Sequence, residues 1–157
     1  MFGDSLMNVT LIMCDIDCDE ENIDPYKSCE LGSYEYINCY LSTISSLLEE
    51  GKWGSKFPVL IESLDAKAKL EPETCEELMV ELDVIQEELK NHPPSKIKCG
   101  DIETENSNWM LEAPFDTSAD NLHDYFMTVD EANLTKTFYE FAQEASEENM
   151  SVMYLFD

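Results

Sequence analysis

Short apolar runs rich in β-forming residues lie near both ends of the chain, and helical patterns lie between them. The first run, Met7 to Ile16, and the last, Met150 to Phe156, are each long enough for one buried strand. Strands and helices are interleaved without the regular rhythm of a parallel βαβ fold. We therefore expect an α+β protein in which helices pack on a sheet of about four strands. The chain has 157 residues, which fits one domain, residues 1–157.

Four helices are expected where apolar residues recur at helical spacing and where Pro, Gly or Asp residues mark the ends. These helices cover Tyr36 to Glu50, Phe57 to Leu64, Pro72 to Asn91, and Asp130 to Glu148. Two internal strands complete the predicted sheet, and they cover Lys96 to Cys99 and Tyr125 to Val129.

Carboxylates dominate the charged residues of the chain. There are 35 Asp and Glu residues against nine Lys and no Arg, which gives a net charge of −26. A polyanion is repelled by such a surface, so we do not expect DNA or RNA as a partner. The absence of Arg also removes the bidentate group most used to bind phosphates. The charge suits a basic protein partner, or it serves solubility alone, and composition leaves both interpretations open.

Targeting and redox signals are weak in this sequence. The N-terminus has no basic segment, and no apolar run reaches the roughly 18 residues that span a bilayer. We therefore expect a cytoplasmic protein with no membrane partner. Six cysteines, at positions 14, 18, 29, 39, 75 and 99, are sparse for a disulfide scaffold, so reduced thiols are expected.

Two carboxylates at the end of the first apolar run give the most enzyme-like pattern. Asp15 and Asp17 resemble the nucleophile motif of haloacid-dehalogenase-type phosphatases, in which a strand-end carboxylate attacks phosphorus. That motif has Thr or Val where this chain has Asp19. The same carboxylates do not fit a calcium-binding EF-hand, because its sixth and twelfth positions are Glu20 and Tyr26. Cysteines and histidines lack zinc-finger spacing. We expect no enzyme activity, metal or cofactor, with a magnesium-dependent phosphohydrolase as the alternative.

The predicted helix from Pro72 to Asn91 has an apolar stripe for the core and a second, smaller apolar pair on the opposite side. That pair, Val80 and Val84, is flanked by glutamates on a helical wheel. Two exposed apolar residues with an acidic rim suit a docking surface for a basic partner, whereas a helix covered on both sides would use them for packing. The candidate contacts on this helix are Glu73, Glu77, Val80, Glu81, Val84 and Glu88.

Two further groups of residues are candidate partner contacts. The first is the acidic loop between residues 15 and 24, with Asp15, Asp17, Asp19, Glu20, Glu21 and Asp24. The second is the pair of tryptophans in predicted loops, Trp53 and Trp109, since aromatic side chains dominate many interface hot spots. Filling the core is the other role open to each tryptophan.

A longer segment resembles a known protein family. Residues 42–59 have the sequence STISSLLEEGKWGSKFPV, and His92 to Lys96, Asp101 to Glu103 and Tyr125 to Thr128 follow in order. Together these pieces resemble the immunity protein 70 family of bacterial polymorphic toxin systems. The resemblance implies a protein without catalysis that binds a cognate toxin domain in the cytoplasm and neutralises it by occlusion.

The acidic composition suits a basic toxin domain, such as a nuclease, and predicts an equimolar complex whose association slows as salt rises. An acidic adaptor or inhibitor of another basic protein is the alternative binding function. The oligomeric state, the toxin's activity and the part of the toxin that is bound stay open.

Overall fold

The computed structural model describes residues 8–18, 25–65, 69–98 and 113–156. Within these ranges the chain forms strands that pair into one sheet, together with α-helices and one short 3-10 helix. In chain order they are β1 (Asn8–Cys14), β2 (Lys27–Ser33), α1 (Tyr34–Leu48), α2 (Pro58–Asp65), α3 (Pro72–Leu89), the 3-10 helix (Pro94–Lys96), α4 (Leu122–Tyr125), α5 (Leu134–Glu148) and β3 (Ser151–Phe156). The α+β class is confirmed.

The sheet has three antiparallel strands in the order β2-β1-β3, so β1 lies in the centre. Val9, Leu11 and Met13 of β1 belong to the main hydrophobic core with the helices. The alternate residues Ile12 and Cys14 are buried in a second, smaller cluster. Because both sides of β1 are buried, its sequence is a continuous apolar run rather than an alternating one.

Strand β2 was not expected from the sequence, and it begins soon after the acidic loop. Its pairing with β1 shifts register between Val9 and Thr10, where Gly32 has a φ of +139°. A Cβ atom at Gly32 would lie 2.9 Å from the Tyr36 ring, so the side-chain-free residue lets the strand cross this ring closely.

The two predicted internal strands are wrong. Pro94–Lys96 forms a 3-10 helix, and Ile97 follows it. In the second segment, Phe126 and Met127 make only single bridges, to Phe115 and Asn133. The Met127 N–H donates to the Tyr36 hydroxyl at 2.7 Å and to the Pro114 carbonyl at 3.2 Å, so this segment pairs only locally. Local contacts therefore replaced a fourth strand among the described residues.

Helices α3 and α5 pack against each other, and both contribute to the main core together with α1 and α2. The predicted apolar stripe of α3 is buried, and it consists of Cys75, Leu78, Leu82, Ile85 and Leu89. The two helices run antiparallel, since Ser146 near the end of α5 donates to Glu76 near the start of α3 at 3.3 Å. The start of α5 is capped by Asn133, whose side chain accepts from the Lys136 N–H, and not by the expected Asp130.

The cysteines differ in part from the expectation of six reduced thiols. The structure joins Cys14 and Cys18 in a disulfide across the turn that follows β1. The expectation is therefore wrong for this pair, because the turn brings the two sulfur atoms together at the end of the strand. Cys29 and Cys75 are free thiols, and Cys99 lies outside the described residues.

Candidate functional site

The exposed side of α3 carries both valines that the sequence singled out. Val80 is 67% exposed and Val84 is 39% exposed, so this side of the helix is not covered within the described structure. The exposed side consists of Glu73, Glu76, Glu77, Val80, Asp83, Val84 and Glu87, and we call it the acidic face. It combines a small apolar centre with a carboxylate rim.

Two predicted contact residues lie at the margins of the acidic face. Glu81 is half-buried, and its two oxygens accept the backbone N–H groups of Val59 at 3.0 Å and Leu60 at 2.9 Å. Burial raises the pKa of this carboxyl, the hydrogen bonds from Leu60 and Val59 offset part of that rise, and the charges of Glu49 and Glu77 add to it. Glu88 is also only partly exposed. The carboxylate of Glu81 is therefore engaged by α2, and any role of Glu81 in binding would act through the position of that helix.

The turn after β1 presents the other acidic candidates that the structure describes. Asp15, Ile16 and Asp17 are exposed, whereas Cys18 is buried and its N–H donates to the Asp15 carbonyl at 3.0 Å. The Lys69 ammonium donates to the carbonyls of Ile16 at 2.7 Å and Cys18 at 3.0 Å. This turn is therefore held by the fold from two sides. The other loop candidates lie outside the described residues, and they are Asp19, Glu20, Glu21 and Asp24.

Lys69 connects the turn to the start of α3. Its ammonium lies 3.6 Å from a carboxylate oxygen of Glu71, the residue that precedes α3. The other oxygen of Glu71 accepts from the Ser151 hydroxyl at 3.3 Å, where β3 begins. The exposed turn and the first turn of the acidic face, including Glu73, therefore lie at the same end of the molecule. The sequence alone does not indicate that these two regions are neighbours.

Trp53 lies in the loop between α1 and α2 and is 46% exposed. It borders a small cavity together with Tyr34 and Phe156. Phe156 is at the end of β3 opposite to Ser151, so β3, about 17 Å long at ~3.3 Å per residue, separates this cavity from the acidic turn. Because nearly half of its surface is exposed, Trp53 does not fill the core. Trp109 lies outside the described residues.

Glu49 is a structural carboxylate whose role was not predicted from the sequence. Its side chain is buried and accepts three backbone N–H groups, from Gly54 at 3.0 Å, Lys56 at 2.9 Å and Phe57 at 2.7 Å. This carboxylate fixes the loop that leads into α2. The segment of residues 42–59, which carries the family resemblance, is thus built around a structural contact. The only sequence signal was a Glu placed just before two closely spaced glycines.

The catalytic alternative finds little support in the geometry. Asp15 and Asp17 follow the central strand of an antiparallel sheet, whereas active sites at strand ends are typical of parallel sheets. His123 is buried, burial lowers its pKa, and its Nδ1 has no hydrogen-bond partner in the described structure. No group of three or more His, Cys, Asp or Glu residues there is placed to hold a metal.

None of the helices in the described ranges has the length and apolar character that crossing a membrane requires.

Comparison with known proteins agrees with the resemblance of residues 42–59. The family described as Immunity protein 70 matches residues 14–154, which include both the acidic turn and the whole acidic face. No match was found among curated proteins or among solved structures. Membership of an immunity protein family indicates a role without catalysis. On the match over nearly its whole length, the chain belongs to the immunity protein 70 family.

Proposed function

We propose that this protein neutralises a cognate toxin by binding its toxic domain in an equimolar complex that blocks the domain in the cytoplasm. The family assigns an immunity role and implies a cognate toxin as the partner. The chemistry of the surface supports the finer proposal that the bound toxin domain is basic. A net charge of −26 repels nucleic acids and attracts cationic proteins.

The observation that carries this proposal is the acidic face of α3. Val80 and Val84 are exposed at its centre, and they can exclude water when a partner covers them. The carboxylates around them can meet cationic side chains at the rim of the interface. Through Lys69 and Glu71, this face continues toward the exposed turn with Asp15 and Asp17. We propose these two regions as one binding surface.

Electrostatic attraction between this surface and a basic domain would speed capture. Steered association reaches about 10⁸ M⁻¹s⁻¹ at low salt, compared with about 10⁵ to 10⁶ M⁻¹s⁻¹ for uncharged partners. Speed matters because free toxin acts on the cell until it is bound. The same attraction weakens when ions screen it, with a Debye length of about 8 Å at physiological ionic strength.

Stopped-flow association with the catalytically inactivated toxin domain tests the proposal. We expect the association rate of the wild type to fall about tenfold or more between low and high salt. Reversing two charges, Glu77→Lys with Glu88→Lys, should slow association several-fold and flatten the salt dependence. Reversing Asp130 and Glu131, which are exposed beside β2, changes the net charge equally and is the control.

Two outcomes would contradict the proposal. If the association rate of the wild type does not change with salt, electrostatic steering toward a basic partner is contradicted. Equal slowing by both double variants would show that total charge matters and that the acidic face has no special place in binding.

A further inference from the structure

A groove of about 380 Å³ lies between α2 and the first turn of α3. Its apolar walls are formed by Pro58, Val59 and Leu70, and Glu62 and Thr74 also line it. Thr74 follows Glu73 of the acidic face in sequence, so the groove opens beside that face. Concave apolar sites next to a charged rim are where interface anchor residues insert.

Two polar groups of the groove, those of Ser63 and Lys69, are already engaged within the protein. The Ser63 hydroxyl donates to the Leu60 carbonyl at 2.9 Å and lies 3.3 Å from the Tyr154 hydroxyl. The Lys69 ammonium is directed to the carbonyls of the turn after β1. What remains for a ligand is the apolar wall, with the side chains of Glu62 and Thr74 beside it.

An anion is excluded by the start of α2. Helix N-termini bind anions through free N–H groups, but here the N–H groups of Val59 and Leu60 are held by the carboxylate of Glu81. An incoming phosphate or carboxylate would have to displace that side chain. It would also meet Glu62, which is exposed, and the exposed Glu73 and Glu77 of α3.

We infer that this groove receives one long cationic side chain, an arginine or lysine, from the toxin domain. The inference rests on the proposed function. The aliphatic part of the side chain packs on Pro58, Val59 and Leu70, and its charged end reaches Glu62 at the solvent edge. Lysine and arginine divide in this way between apolar stem and charged head wherever such surfaces meet water.

The test measures equilibrium binding and dissociation of the inactivated toxin domain with two variants. Thr74→Trp fills the groove and should weaken binding about tenfold or more, mainly through faster dissociation. Glu62→Gln leaves the groove open but removes its carboxylate charge, and should weaken binding several-fold. Ser46→Trp, at an exposed position of α1, is the matched control and should bind like the wild type.

The outcomes separate this inference from the proposed function. If the wild type forms no complex, the proposed function fails. If the wild type binds and Thr74→Trp binds equally well, the groove is not used and the inference is overturned. If Thr74→Trp weakens binding but Glu62→Gln does not, the inserted side chain is not a cation, which also overturns it. Should Thr74→Trp fail to fold by circular dichroism, Glu62→Lys takes its place, and unchanged binding then overturns the inference.

Discussion

Glu49 and Glu81 place their carboxylates at the start of α2, where the first backbone N–H groups of a helix have no partner within the helix. Glu49 accepts from Lys56 and Phe57, and Glu81 accepts from Val59 and Leu60. Negative charge at a helix N-terminus is also favoured by the helix dipole. The two residues thus fix α2 to α1 and to α3.

Removing the Glu81 carboxylate should destabilise the fold. We expect Glu81→Ala to lower the free energy of unfolding by about 1–2 kcal/mol, because two N–H groups lose their acceptor. Glu81→Gln should cost less, since its amide oxygen still accepts a hydrogen bond. Urea unfolding measures both, with Glu77→Ala on the exposed side of the same helix as the control. Equal stability of Glu81→Ala and Glu77→Ala would contradict the capping role.

The raised pKa of Glu81 predicts a specific pH dependence of stability. Burial raises this pKa above its ordinary value of 4.5, so between the two values the folded protein binds more protons than the unfolded chain. Stability from this group therefore falls as pH rises through that window. Relative to Glu81→Gln, the wild type should gain stability as pH is lowered from neutral towards 4.5. A constant difference between the two proteins in thermal unfolding would contradict this assignment.

Helix α3 shows how far sequence patterns predict an element. Its eighteen residues separate cleanly into a buried stripe and an exposed side, because many turns repeat the same period and the Pro residues near both ends mark its limits. The short strand β2 carries only Cys29 and Leu31 as apolar residues. With so weak a pattern, this segment becomes a strand because it pairs with β1, and sequence alone does not reveal that pairing.

Exposed valines on α3 should matter for binding and not for folding. Replacing Val80 and Val84 together by Ser should weaken toxin binding by about tenfold, mainly through faster dissociation, because apolar burial at the interface centre is lost. Thermal stability should be nearly unchanged, since both side chains face solvent in the free protein. Val129→Ser, at a third exposed valine, is the control. Unchanged toxin binding by the Val80 and Val84 variant would remove these residues from the interface.

Over the whole molecule, acidic groups outnumber the cations available to pair with them. In the described part of the chain, ion pairs join Lys27 to Glu144, Lys69 to Glu71 and Lys90 to Glu87. Exposed pairs of this kind contribute little to stability, so their importance here is positional. The negative electrostatic potential of the molecule follows directly from its composition. The sequence could not predict which carboxylates lie close together. Lys69, for example, brings the turn after β1 next to Glu71, and these segments are far apart in sequence.

Protection of cells is the measurement that tests the account most directly. The cognate toxin is induced in bacteria that carry the wild-type protein, the Glu77→Lys and Glu88→Lys variant, or an empty vector. We predict survival with the wild type, reduced survival with the variant and death with the vector. If cells that express the wild-type protein die as readily as those with the vector, the proposed neutralisation of this toxin is contradicted.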